Sequence, residues 1–486
     1  MVAILGIGIP VLIAIVAIAL LAIWLLRERA PVDVQPRQPA APAAGGQPGE
    51  PGQPPPIVQP TEPAAPSAAG APPAQPEPPA QSGSSAAAQG SGTPGAASGS
   101  WPQFRGPNRD NISPEKIGLA RSWPSSGPRK LWSIKLGRGH AGAAVLGGRV
   151  YVLDYNESRK GDLLRCLSLD TGKEIWSQFY PVEIKYNHGI SRTVPAVTNK
   201  YVVTIGPKCM VMCCDSQSGE VLWKKDLVQL YGAQVPSWYT GQCPLIDGNK
   251  VIIAPGGKSI MIAVDLASGS VAWEAPNPDG WQMTYASIMP MTLGGTKTYV
   301  YPSTGGIVGV SSAGKVLWKF PGWKVSTAEC PSALYVGNNQ FFISGGYNAG
   351  SLMLRGSGGG VSKVFALPQS VFGSHNHTPI LHGNHIYGVS IGDKQLVCLD
   401  LKGKRVWSSG HTATFGLGPY LLAEGMLYVL SEDGTLVLAE ASTSGYKELA
   451  RAKVVGVNAW GPMALVGGRL ICRDEDTMIC LDVKNP

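Results

Sequence analysis

The sequence predicts an all-β protein: an eight-bladed β-propeller of four-stranded antiparallel blades, preceded by one transmembrane helix and a disordered Pro/Ala/Gly-rich linker. Three observations predict it. A Gly stands four residues ahead of a Trp at five positions, a Pro opens a short apolar strand every 40 to 49 residues, and composition changes abruptly near residue 100.

The first segment, 1–29, holds an uncharged apolar run from Val2 to Leu26, ended by Arg27, Glu28 and Arg29. As a helix it would reach about 37 Å, enough to cross a bilayer core. No basic residue precedes the run and no A-x-A site follows it, so an uncleaved membrane anchor is expected in preference to a cleaved signal peptide. The second segment, 30–100, carries 18 of the 41 prolines and few charges. Such a stretch cannot bury enough apolar surface to offset the entropy of ordering, and a disordered tether is expected. Residues 101–127 form a lead-in, and 128–486 the propeller.

Residues 1–100 sum to a net charge of −2, so the remainder carries +10 of a chain total of +8. Its Lys and Arg form no run or stripe, which argues against a nucleic-acid footprint.

The repeat assigns the architecture. The Gly–Trp pairs are Gly172 and Trp176, Gly219 and Trp223, Gly269 and Trp273, Gly314 and Trp318, and Gly403 and Trp407; the strand-opening prolines are Pro195, Pro244, Pro290, Pro331, Pro379, Pro419 and Pro462. After each Pro comes a hairpin whose Gly-Gly, Asp-Gly or Gly-Asn pair supplies the positive φ of a tight turn. A third strand, a Ser/Thr-Gly turn and a fourth strand carrying the Trp complete the unit. Four-stranded units at this period, with no helices between them, bury their faces only against one another, as propeller blades do. Each Trp is expected to fill the wedge between blades, its N–H reaching a backbone acceptor in the next unit. Eight units begin near Ala143 and at the seven prolines, the fifth and seventh without the Trp. The last lacks a fourth strand, and residues 128–136, which carry Trp132, are expected to supply it.

The nine cysteines follow the repeat. Cys166, Cys213, Cys398 and Cys480 share one third-strand slot, and Cys243 and Cys330 each precede a strand-opening Pro. Equivalent slots in separate blades lie too far apart for disulfides, so small buried hydrophobes are expected. The vicinal pair Cys213 and Cys214 is expected to face opposite sides of one strand.

The unit VIIAPGGKSIMIAVDLASGSVAW resembles the repeat of pyrroloquinoline-quinone (PQQ) type propellers, a group that includes the propeller lipoproteins of outer-membrane assembly and the quinoprotein alcohol dehydrogenases. The opening WPQFRGPNRDNISPE resembles the lead-in of bacterial PQQ-like repeat proteins. The dehydrogenase resemblance would imply a vicinal cysteine ring over PQQ, a Trp floor, Ca²⁺ held by carboxylate and amide groups, and an Asp base. With blades of about 45 residues and the only vicinal pair inside a strand, a scaffold is the expected function. A quinoprotein dehydrogenase using PQQ with Ca²⁺ is the alternative, and a glycan or small-molecule sensor the third. The Arg pair after the apolar run points to a cytoplasmic propeller. The exported setting of both resembling families points outward, and a single-pass protein with an extracytoplasmic propeller, binding other envelope proteins or a small molecule or glycan, is the expectation.

In a propeller the loops that lead into the innermost strands converge on the axis at one face. The candidate ligand-binding residues there are His188, Arg192, Trp238, Tyr239, Tyr285, His375, Asn376, His377 and Trp460, with Trp281, Trp323, Phe415 and Asn458 beside them. Aromatic, His and Asn side chains on a concave face suit a flat or amphipathic ligand; equally, they could plug the channel. No catalytic set and no metal set is expected. His375 and His377 could share a metal with His188 or His140, but His377 and His382 stand at opposite ends of one strand.

Overall fold

The structure, a computed structural model, describes residues 86–485. Eight antiparallel sheets follow one another in chain order. Blades 1 to 7 occupy 144–181, 196–226, 245–276, 289–320, 334–367, 380–408 and 420–453; blade 8 combines 464–482 with Arg129–Lys135. The expected closure is present, since Arg129–Lys135 pairs antiparallel with Thr477–Asp482 as the outermost strand of blade 8.

The Gly–Trp signature works between blades. A Cβ on Gly172 would meet the ring of Trp132, on Gly219 that of Trp176, on Gly269 that of Trp223, and on Gly314 that of Trp273, each time the Trp of the preceding blade. Only a Gly lets the turn lie on that ring, and each holds a positive φ. Blade 5, which lacks the Trp, offers Phe365 instead, under Gly403. Trp132, Trp223 and Trp407 donate to the carbonyls of Leu169, Leu266 and Ser442 in the following blade, at 2.8, 2.9 and 2.8 Å. Trp176, Trp273 and Trp318 depart from that expectation: their Nε1 atoms are buried and make no hydrogen bond among the described residues.

The cysteine slots share this cause. On the ladder each Trp stands directly opposite a small residue: Cys166 faces Trp176, Cys213 Trp223, Ala263 Trp273, Gly309 Trp318, Cys398 Trp407 and Cys480 Trp132. Where the large ring is missing the partner grows, with Met353 facing Phe365 and Leu438 facing Ala450. A small residue thus stands opposite the ring wherever the Trp is present, and a larger one where it is absent, as packing across a ladder pair favours. Ala263 is fully buried. Ala263→Leu is expected to overpack the wedge and to cost about 1–3 kcal/mol, read as a lower urea midpoint; an unchanged midpoint would mean that the wedge has slack.

All nine cysteines are free thiols. Cys213 and Cys214 face opposite sides of their strand, each in a different apolar cluster.

Around the axis a belt of hydrogen bonds joins the starts of successive inner strands. The amide of Val194 donates to Cys243 Sγ (3.2 Å), that of Cys243 to Ser287 Oγ (3.0 Å), that of Ser287 to Ser332 Oγ (2.9 Å) and that of Ser332 to Thr378 Oγ1 (2.8 Å). Five blades are linked in this way. Cys243 is therefore a belt member, whereas Cys330 is not, although both precede a Pro.

One expectation is corrected. Residues 86–100, expected within the disordered linker, are ordered along blade 1: Ala88–Gln89 adds a fifth strand to its outer edge, and the amides of Gly92 and Gly95 donate to the carbonyls of Glu174 and Gly148. Gly148 lies in the inner hairpin, so the strap arrives on the face opposite the axial loops.

The lead-in, to which the repeat assigns no place, enters the channel itself. Trp101 bridges Val145 of blade 1, Pro102 accepts from Val197 of blade 2, and Ile112–Ser113 runs parallel to the inner strand of blade 7. Between them Arg105 donates to the carbonyls of Thr378 and Pro379 (2.5 and 2.9 Å), and Arg109 to those of Pro244 and Ile288 (3.3 and 3.0 Å). The segment 101–113 thus touches six blades and seals the channel.

The expected anchor at 2–26 and the linker up to residue 85 lie outside the described residues. Among the described residues no helix is long and apolar enough to cross a membrane.

Candidate functional site: an aromatic cup on the axis

Above the sealed channel, on the face of the axial loops, lies a cup of two adjoining shallow hollows of about 110 and 220 Å³. Phe104, from the lead-in, forms part of its lining. Residues 101–113 run across the channel, and the loop aromatics stand around a space.

Eight of the nine candidate residues line it. His188, Arg192, Trp238, Tyr285, His375, Asn376 and Trp460 line the outer hollow, and Arg192, Tyr285, Asn376, His377 and Trp460 the inner one. Tyr239 does not. Its ring packs with Val182 against Tyr155, Ile184 and Ile190, and its hydroxyl donates to the Lys185 carbonyl, so it buttresses the blade 1–2 loop from behind. Trp323 and Phe415 are also core residues, Trp323 donating to the buried carboxyl of Glu329 at 2.6 Å.

The rings form three groups. His188 and Trp238 lie 6.4 Å apart and nearly parallel, with Tyr285 6.1 Å beyond Trp238; His140 lies 4.8 Å from Trp460; Tyr347 lies 4.6 Å from His375. Arg192 ties the first group together. Its Nε donates to the Trp238 carbonyl (2.5 Å), its Nη2 to those of His188 (2.6 Å) and Asn187 (3.1 Å), and the Tyr285 hydroxyl accepts from the Trp238 amide (3.0 Å). His188 and Tyr347 hold positive φ values of 51° and 53°. Bulky residues in that region are strained, and such strain collects at binding loops.

Several lining residues are absent from the ligand-binding candidates, His140 having been considered only as a metal partner. Tyr347 comes from the turn between the second and third strands of blade 5, which reaches the same face. His140 stands in the loop before blade 1, where no Pro marks the register. Phe104 was illegible because nothing in the repeat says that the lead-in returns to the axis.

The electrostatics have one sign. No Asp or Glu lines either hollow. Burial, together with Arg192 and Arg473, holds His140 well below the usual histidine range. Burial and Arg105 press His377 down to about 4. Both rings are thus neutral near pH 7.

These residues do not fit PQQ with Ca²⁺. The cup offers imidazole, phenol, amide, thiol and guanidinium groups but no carboxylate for a hard cation or for a base. The vicinal Cys213 and Cys214 are buried in the blade 2 strand, away from the axis. Among the described residues no group of three His, Cys, Asp or Glu could hold a metal ion.

Comparison with protein families matches residues 159–406, just over half of the chain, to the family described as outer membrane protein assembly factor BamB. The chain belongs to that family. Among solved structures, the BamB-family chain is similar to BamB from Moraxella catarrhalis, with 14% identity over 73% of this chain and all of that one, and a TM-score of 0.51. The computationally designed Ika8 protein matches at 9% identity over 73% of this chain and all of its own, with a TM-score of 0.50. The quinohemoprotein alcohol dehydrogenase from Comamonas testosteroni matches at 11% identity over 80% of this chain and 81% of its own, with a TM-score of 0.45. At such identities the likeness is one of fold. No curated protein matches the chain in sequence.

Proposed function

We propose that this BamB-family chain is a membrane-tethered scaffold of the cell envelope that holds part of a partner protein in the aromatic cup. The observation that supports the reading most is the division of labour on the axis. The lead-in supplies the seal and the buried arginines, which leaves Trp238, Tyr285 and Trp460 free to present ring surface to a ligand. Aromatic side chains in a concave, partly desolvated site are typical anchors of protein interfaces. On this reading residues 2–26 are the anchor, the stretch that follows is the tether, and the propeller lies outside the cytoplasm.

A photo-crosslinking residue in place of Trp238, in membranes of the source cell, is expected to trap one discrete adduct. The same residue in place of Val364, on the outer strand of blade 5, is expected to trap none. Trp460→Ala should abolish the adduct and shift the melting temperature by less than about 5 °C, corresponding to roughly 1–2 kcal/mol for a domain of this size. Equal labelling at both positions would overturn the reading. Loss of folding on Trp460→Ala would make that ring a structural element of the axis.

A further inference from the structure

The Arg192 guanidinium lies in the wall of both hollows, and its hydrogen bonds leave one nitrogen over. Nε and Nη2 are occupied by the carbonyls of Trp238, Asn187, His188 and, at 3.4 Å, Gly189. Nη1 has no hydrogen-bond partner among the described residues, and no ion pair there involves Arg192. We propose that the cup takes a carboxylate carried beside a planar ring, the carboxylate meeting Arg192 Nη1 and the ring entering among Trp238, Tyr285 and Trp460. The proposal deepens the scaffold reading and rests on it for the place of binding.

Three observations carry it. First, the charge around the cup is unbalanced. Below Arg192 lie Arg105, Arg109 and Arg473, all buried and all donating to backbone carbonyls. Arg473 has the carboxylates of Asp154, Asp474, Asp476 and Glu475 around it, so the excess rests on Arg105, Arg109 and Arg192; Glu475 on the rim accepts from Tyr186 and Asn458, and Asp474 from the amides of Gly456 and Thr477. Low-dielectric walls lined by one sign of charge concentrate that field in the hollow. Burial is the main cause of the depressed pKa values of His140 and His377, and the neighbouring arginines push in the same direction.

Second, the cup has an unspent polar group. His140 is 5% exposed, its Nε2 lies 3.2 Å from the His188 carbonyl, and its Nδ1 has no partner among the described residues. With Nε2 donating to that carbonyl in the neutral ring, Nδ1 is an acceptor, and an N–H carried by the planar body of the ligand, not its carboxylate, would be the partner it lacks. Third, the walls are rings, which favours a flat body. A single free guanidinium nitrogen suits a monoanion, whereas phosphate sites gather backbone amides or several cations.

The carboxylate could belong to a free aromatic acid or to an acidic and aromatic stretch of a partner chain. Calorimetric titration of the purified full-length chain distinguishes them with two matched pairs: indole-3-acetate against indole-3-acetamide, and a capped Trp-Glu peptide against its Trp-Gln counterpart. At least one acid is expected to bind tenfold or more tightly than its amide, and the tighter acid identifies the source. Arg192→Gln is expected to reduce that ratio below twofold. If that variant does not fold, the wild-type ratio should still fall as salt rises, because the contact is charged. Equal binding of acid and amide, a ratio indifferent to Arg192→Gln in a folded variant, or no binding of either acid at millimolar concentration overturns the proposal. If the Trp238-position adduct forms and the acid does not compete with it, the ligand class is wrong and the scaffold reading stands. If the adduct is absent, the scaffold reading itself fails.

Discussion

Removal of residues 129–135 is expected to abolish the cooperative unfolding transition of the propeller. This strand is the only one in blade 8 drawn from the far end of the chain, and through it the ring closes. Its ladder with Thr477–Asp482 runs from Arg129 to Lys135. Its Trp132 is 7% exposed, donates to Leu169 of blade 1, and lies under Gly172 of the same blade. Loss of a buried Trp costs about 3–5 kcal/mol, and several ladder hydrogen bonds add about 1 kcal/mol each. Together these approach the whole stability of a typical domain, about 5–15 kcal/mol. The exposed pair of Arg129 with Asp482 adds little. Trp132→Ala alone should lower stability by about 3–5 kcal/mol. Circular dichroism melts check both variants; a deletion that melts like the intact chain would show that the ring holds without closure.

Arg105→Ala is expected to be the most costly single change in the lead-in, at about 3–5 kcal/mol. Arg105 is 3% exposed and donates to four carbonyls, those of Arg109 (2.9 Å), Thr378 (2.5 Å), Asp110 (3.0 Å) and Pro379 (2.9 Å). No carboxylate pairs with it among the described ion pairs, and burial lowers its pKa to about 10. The residue is retained because its planar fork satisfies acceptors that water cannot reach, and truncation leaves those acceptors unpaired. Arg105→Lys should not restore the loss, since an ammonium cannot reproduce the fork. A second readout separates charge from packing. Arg105 helps hold the His377 pKa down at about 4, so in any folded Arg105→Ala protein that pKa should rise. Histidine NMR titration measures it, and an unmoved value would place the positive field elsewhere.

The blades were legible in the sequence because their signals are local. Turn glycines, strand-opening prolines and Trp at a constant offset each act within a few residues, and a repeat multiplies a weak signal. From these the eight blades, the closing strand with Trp132, the reduced cysteines and the ring of axial loops all followed. Tertiary structure alone decided what distant segments do on the axis. That Arg105 and Arg109 close the channel depends on carbonyls from blades 3, 4 and 6, which no local pattern specifies. The orientation of Tyr239 away from the cup depends on a positive φ of 67° in one loop, and the approach of Tyr347 on a turn of another blade. The sequence by itself determined that a propeller forms and that the loops entering its inner strands share one face. The packed chain decided which of them surround a cup and left Arg192 with a free nitrogen, because those outcomes follow from contacts between neighbouring blades and with the lead-in, which no single repeat encodes.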